Sequence, residues 1–185
     1  MAKTPDAETD LVERLRQPET CRAAFNEVIR LYSPRLYSQI RRLVQSHADT
    51  ADLLQNTFLK AWQNLEYFRG DARLSTWLYK IAVNESLTFL ARERRRRNLS
   101  LDDQESALAA MIQADTDVDG DKTALLLRQA VTTLPEKQRL VFNMKYYDDM
   151  RYEDMSEILG TSVGALKASY HLAVKKIEKY VTDNA

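Results

Sequence analysis

The chain has 185 residues, 44% of them hydrophobic, with 27 basic and 27 acidic side chains and a formal net charge of zero. That is enough apolar material to bury a core in one large domain or two small ones. A single cysteine, Cys21, excludes an intramolecular disulfide, and no stretch approaches the roughly 18 apolar residues of a membrane span.

The zero net charge conceals a partition. Residues 1–97 carry 17 basic and 12 acidic side chains, residues 98–121 carry seven acidic ones and no Lys or Arg, and residues 122–185 carry 10 basic and 8 acidic. Two mildly basic blocks flank an acidic spacer, with the run Arg92 to Arg97 immediately before it. An acidic spacer cancels the total without screening basic faces more than about 8 to 10 Å away, so local charge is the better guide to partners. The N-terminus lacks an apolar leader, so a cytoplasmic location is expected.

With four Gly, four Pro and no strand-like alternation, the chain reads as nearly all helix. A first short helix is predicted around Asp10 to Arg16, ended by Pro18, and a second from about Thr20 to Tyr32. Ser33-Pro34 reads as an N-cap followed by a first-turn proline, opening a new helix to about Val44. Asp49 is the predicted N-cap of the next helix, with Leu54, Phe58, Ala61 and Leu65 as its buried line. Asp52, Gln55, Asn56, Leu59, Lys60 and Gln63 are then left on other faces, either solvated or available to a partner. The pattern breaks at Phe68-Arg-Gly-Asp-Ala-Arg73, with Gly70 as the flexible point.

Ser75 is the predicted cap of a long helix with Trp77, Leu78, Ile81 and Ala82 facing the core. Arg73, Thr76, Lys80 and Asn84 fall at helical spacing on another face, near the aromatics Phe68 and Tyr79. Cations for phosphate, amides for base edges and rings for unstacked bases suit nucleic acid; the alternative is that the rings are core, preferred for Trp77.

Beyond the acidic spacer, helices are predicted at about 122–133, 136–147, 152–159 and 162–180. The last two have helix-turn-helix spacing: Ser156, then Gly160 in the turn, then Leu166. Val163, Leu166, Tyr170, Val174, Ile177 and Val181 must face inward. This leaves Gly164, Ala165, Lys167, Ala168, His171 and Leu172 outward, with Lys175, Lys176 and Lys179 further along, a pattern suited to a major groove and its phosphates.

Asp115-Thr-Asp117-Val-Asp119-Gly120 copies the first half of a calcium loop, but position 8 is Lys122 and position 12, where a bidentate Glu belongs, is Leu126. Cys21, His47 and His171 have no zinc spacing. No Gly-rich phosphate loop, nucleophile elbow or His-carboxylate constellation is present, so neither metal, cofactor nor catalysis is expected.

Asp52-Leu-Leu-Gln-Asn-Thr-Phe-Leu-Lys-Ala-Trp62, Phe68-Arg-Gly-Asp71, Thr76-Trp-Leu-Tyr-Lys-Ile-Ala-Val-Asn84, Leu134-Pro-Glu-Lys-Gln-Arg139 and Tyr152-Glu-Asp-Met-Ser-Glu-Ile-Leu-Gly160 stand in order along the chain. Together they resemble the bacterial sigma factors of the extracytoplasmic-function class, over about residues 10–182. The resemblance implies an all-α chain of two small helical domains, region 2 at 10–97 and region 4 with a helix-turn-helix at 122–182, joined by an acidic linker at 98–121. It implies a non-enzymatic initiation factor that binds RNA polymerase core, through the β′ clamp helices and β flap, and promoter DNA. An anti-sigma factor at the inner membrane is a further implied partner, without membrane insertion of this chain.

By the same resemblance the −10 surface is Lys60, Asn64, Phe68, Arg69, Tyr79, Lys80 and Asn84, with the loop around Phe68 to Ala72 taking a flipped base. Asp52, Gln55 and Leu59 face the clamp helices, and Gly164, Ala165, Lys167, Ala168, His171 and Lys175 read the −35 element. Two departures stand out: Asn56 replaces a usual Glu, and Ala168, Ser169, Leu172 and Val174 stand at or beside positions where many relatives carry arginines, leaving DNA shape more of the −35 readout. The acidic row of the spacer is expected to be either a phosphate-like filler of polymerase channels or a solvated tether. A stand-alone helix-turn-helix regulator is the rival expectation, and a degenerate relative acting mainly through protein contacts is a third.

Overall fold

The computed structural model describes residues 5–68, 70, 72–99 and 122–184. Among them every regular element is helical: α1 Pro5–Arg16, α2 Pro18–Val44, α3 His47–Gln63, a single tight turn Leu65–Tyr67, α4 Leu74–Leu99, α5 Lys122–Thr132, α6 Glu136–Tyr146, α7 Tyr152–Leu159 and α8 Val163–Asn184. The chain divides into two compact units, Met1–Phe89 and Leu90–Ala185. α4 runs two residues into the expected spacer, to Leu99; residues 100–121, with the calcium-loop look-alike, and Arg69 lie outside the described residues.

In the first unit α2 packs on both α1 and α3. The break expected at Ser33-Pro34 is absent: α2 is one helix of 27 residues with Pro34 inside it. A proline there removes one N–H and crowds the carbonyl four residues back, at about 3 kcal/mol. The apolar face nevertheless runs on in helical register through Ala24, Phe25, Val28, Leu36, Ile40 and Leu43, all buried. Burying a Leu or Ile contributes about 1.5 to 3 kcal/mol, so Leu36, Ile40 and Leu43 outweigh the proline. The Ser33 hydroxyl, expected to cap, instead donates to the Ile29 carbonyl at 2.6 Å.

α2 ends at Gln45, whose φ of 63° is left-handed and whose N–H closes on the Arg41 carbonyl. The N-cap of α3 is Ser46 rather than Asp49: its Oγ accepts the Asp49 N–H at 3.3 Å, and Asp49 sits in the first turn where a carboxylate meets the positive helix end. A left-handed backbone strains a side chain by about 1 kcal/mol that glycine avoids. Gln45→Gly is therefore expected to raise the thermal midpoint by a few degrees in a calorimetric scan. α4 also begins one residue earlier than Ser75, at Leu74, with the Trp77 N–H on the Arg73 carbonyl.

In the second unit Ala130, Val131, Leu134, Phe142, Ala173 and Ile177 form a core cluster, with Tyr170, Val174 and Val181 packed partly buried against it. α7 closes on Gly160 at φ 60°, its N–H bonded to the Ser156 carbonyl at 2.9 Å. Ser162 then opens α8, its Oγ accepting the Ala165 N–H. Glycine in the left-handed stop followed by serine in the start makes the turn between the two helices.

Candidate nucleic-acid interface

On α3 the residues Asp52, Gln55 and Leu59 are exposed, at spacings of three and four that set them in one stripe. Leu59 is 53% exposed, a large apolar side chain offered to solvent inside an acidic and amide stripe. Lys60, Gln63 and Asn64 are exposed on the neighbouring face. The Lys60 ammonium forms an ion pair with Glu85 of α4. Asn64 turns its amide back to the Lys60 carbonyl at 2.8 Å, closing the end of α3. Glu85 follows Asn84, and Lys80 lies one turn before it; Lys80 and Asn84 are both exposed. The Lys60–Glu85 pair thus sets the Lys60 face of α3 beside the Lys80–Asn84 stripe of α4. Sequence patterning held no sign of Glu85, because a contact between two helices leaves no spacing signal.

The aromatics are arranged differently from expectation. Phe68 is 8% exposed, its ring 4.9 Å from that of Trp77, and Tyr79 is 2% exposed, with the Arg35 guanidinium 5.6 Å from its ring centre. Neither ring is offered to a base: Phe68 is buried against Trp77 and Tyr79 is buried beside Arg35 of α2. Thr76, expected on the polar face, is buried as well. The exposed rings of this unit are Trp62, at 43%, and Tyr67, at 70%. The Tyr67 hydroxyl is held above its usual range by its bond to Glu66 and that residue's charge.

In the second unit Gly164, Ala165, Lys167, Ala168, His171 and Lys175 are all exposed on α8. Glycine and alanine at the start of this stripe let the helix approach a surface closely, while the lysines supply charge further along. The Lys167 ammonium lies 5.6 Å from the centre of the Tyr152 ring on α7, as does that of Lys145. Such cation–π contacts are worth about 0.5 to 1 kcal/mol at exposed sites and restrict where the Lys167 side chain points. Buried Leu166, Ala173 and Ile177 fix the opposite face of the helix.

Among the described residues no group of three His, Cys, Asp or Glu is placed to hold a metal, and no helix is long and apolar enough to cross a membrane.

Residues 28–96 match the family described as Sigma-70 region 2, and residues 124–177 that described as Sigma-70, region 4. The chain belongs to the sigma-70 family. Full-length relatives place this sigma factor in the extracytoplasmic-function class. It is 28% identical over 179 residues to an ECF RNA polymerase sigma-E factor of Haemophilus influenzae, covering 92% of this chain and 93% of that one. It is 29% identical over 179 residues to the Escherichia coli K12 protein of the same description, covering 92% of each. An RNA polymerase sigma-H factor of Pseudomonas aeruginosa is 27% identical over 184 residues, covering 95% and 94%.

Two solved structures share the fold. RpoE of Bartonella quintana, in complex with the anti-sigma factor NepR, gives a TM-score of 0.64 at 23% identity, over 85% of this chain and 96% of that one. CnrH, in complex with the cytosolic domain of CnrY, gives 0.69 at 19% identity, over 97% and 100%.

This sigma factor is a transcription initiation factor, not an enzyme, and directs RNA polymerase to promoters. The stand-alone regulator is not favoured, because the half it would devote to sensing matches region 2.

Proposed function

We propose that the first unit docks on RNA polymerase core through Asp52, Gln55 and Leu59 and engages the −10 element through Lys60, Asn64, Lys80 and Asn84. Phe68 acts in this reading as a packed floor beside the loop that takes the flipped base, and Tyr79 as a buried support of α4, neither as a stacking ring. In the second unit Gly164, Ala165, Lys167, Ala168 and His171 read the −35 groove while Lys175 holds phosphate. The observation that carries the reading is that the region 2 match contains the exposed stripes of α3 and α4 and the region 4 match the exposed stripe of α8. An exposed leucine in the α3 stripe suits a protein partner, and an exposed Lys/Asn stripe suits DNA. Such a factor works where polymerase and chromosome are, in the cytoplasm, and an anti-sigma factor, held at the inner membrane in some growth states, would mask these same faces.

Transcription with purified core and genomic DNA tests the whole. The chain is expected to bind core and give a small set of discrete transcripts, and failure of either overturns the proposal. Lys175→Ala is expected to weaken duplex binding about equally on all sequences and to reduce the slope of log affinity against log salt by about 1. Lys167→Ala and His171→Ala should change the ranking of −35 sequences. Unchanged rankings for both would remove the groove-facing assignment.

A further inference from the structure

Leu172 of α8 is 50% exposed, a large apolar side chain offered to solvent beside Ala173, which is fully buried in the core cluster. It is the tenth of the helix's 22 residues, in the half that a recognition helix presents to base edges. A single exposed leucine is ordinary on a protein surface. What marks this one out is its setting. Ala168, Leu172, Lys175 and Lys179 are all exposed and follow at spacings of four, three and four, so they share one line along the helix, away from buried Leu166, Ala173 and Ile177. From Gly164 to Lys179 the helix carries four lysines and one glutamate, Glu178. The leucine therefore meets its partner within a row of cations, which suits phosphate. Leu59 of α3, the exposed leucine of the first unit, differs: it stands with Asp52, which repels phosphate.

In the major groove, base pairs are told apart by hydrogen-bonding groups and by the C5 methyl of thymine. Paired hydrogen bonds to guanine come from Arg or Lys, and those to adenine from Asn or Gln. α8 has no Arg and no Gln, and its one Asn is its last residue, Asn184. Lys167, five residues before Leu172 and so about 140° round the helix, is drawn to the Tyr152 ring of α7. Lys167 and His171, four residues apart, make one polar edge of the exposed face. Leu172 and Ala168 give the face beside that edge only methyl groups. A leucine pressed on the amine of cytosine or the O6 of guanine leaves that group without a hydrogen-bond partner. Pressed on the methyl of thymine, it removes apolar surface from water.

We propose that Leu172 reads thymine in the −35 element by packing on its C5 methyl in the major groove. Ala168, one turn before it, keeps the helix surface low enough for the leucine to reach the base. The inference rests on the −35 reading above and deepens it: the element contains a T·A pair at the position Leu172 meets, recognised by contact and not by DNA shape alone.

The test uses holoenzyme made with the full chain and duplex DNA of a promoter mapped with wild-type holoenzyme. Replacing the whole −35 segment by unrelated sequence comes first, and wild-type holoenzyme that binds both duplexes alike would sink the −35 reading itself. Given discrimination, each thymine of the segment is replaced in turn by deoxyuridine, which pairs with adenine and lacks only the methyl. Wild type is expected to lose about fourfold in affinity at one such position, the size of one buried CH2 group. Leu172→Ala should bind the thymine duplex about fourfold more weakly than wild type and make no distinction between thymine and uracil there. Because Leu172 is exposed, its truncation opens no cavity, and core affinity should stay within about twofold.

Uracil bound as tightly as thymine at every position by wild type would overturn the proposal, and so would a −35 segment with no A·T pair. A uracil penalty of unchanged size in Leu172→Ala would also overturn it, because another side chain would then meet the methyl. Weakened core binding by Leu172→Ala with its thymine preference intact would make Leu172 a contact to polymerase instead.

Discussion

Holoenzyme carrying Lys80→Ala and Asn84→Ala together is expected to assemble on core like wild type and to lose promoter opening by at least tenfold. Both side chains are exposed, one helical turn apart on α4, so their removal leaves no cavity and no unpaired buried group. A polar contact to a base edge is worth about 1 to 3 kcal/mol, so Asn84→Ala alone should cost about 5- to 150-fold in opening. Lys60 behaves differently because its ammonium already pairs with Glu85. Lys60→Ala removes a cation and also releases a carboxylate beside the DNA path. The reciprocal change, Glu85→Gln, frees Lys60 and removes that repulsion, and should tighten −10 strand binding. Equilibrium binding of each variant to core and to a −10 oligonucleotide separates these effects. Equal loss of core affinity in the Lys80/Asn84 variant would point to misfolding.

The helices after residue 121 were legible because Leu134-Pro135, Asp148-Asp149 and Gly160 punctuate a clean apolar period. The outward stripe of α8 follows from the same period: once Leu166 and Ile177 must face inward, Lys167, His171 and Lys175 cannot. The first unit was harder to read where a local signal met a tertiary one. Ser33-Pro34 is a proper start signal, but the buried face on either side of it makes one continuous helix worth more than two. Asp49 and Ser75 are good cap residues one to three places from the real helix ends, displaced by Ser46 and by the Glu8 carboxylate of α1, which accepts the Leu74 N–H. Lys80 and Asn84 could be assigned to the surface from spacing alone. Whether Phe68 and Tyr79 were surface or core could not, since an aromatic ring suits either, and only packing against Trp77 and Arg35 decides it. Glu8 and Glu85 carried no sequence signal, because each acquires its role from a residue on another element.

The burial of Phe68 changes what its removal would report. The ring is 8% exposed and stacks at a tilt on Trp77, so Phe68→Ala opens a cavity in the first unit. Phe→Ala in a core costs about 3 to 5 kcal/mol, against a total stability of about 5 to 15. At roughly 4 to 8 °C per kcal/mol for a domain of this size, the midpoint is expected to fall by more than 10 °C. Core binding should weaken together with promoter opening, because the face carrying Asp52, Gln55 and Leu59 belongs to the same packed unit. Loss of activity in Phe68→Ala therefore says nothing about contact with a base. Phe68→Leu keeps most of the apolar volume and should leave a folded protein about 1 kcal/mol less stable. If the ring serves as floor and not as stacking partner, folded Phe68→Leu initiates within about threefold of wild type. A folded Phe68→Leu protein with normal core affinity and opening reduced more than tenfold would mean that the ring leaves the core to meet the flipped base, since a stacked aromatic is worth about 1 to 3 kcal/mol and leucine cannot replace it.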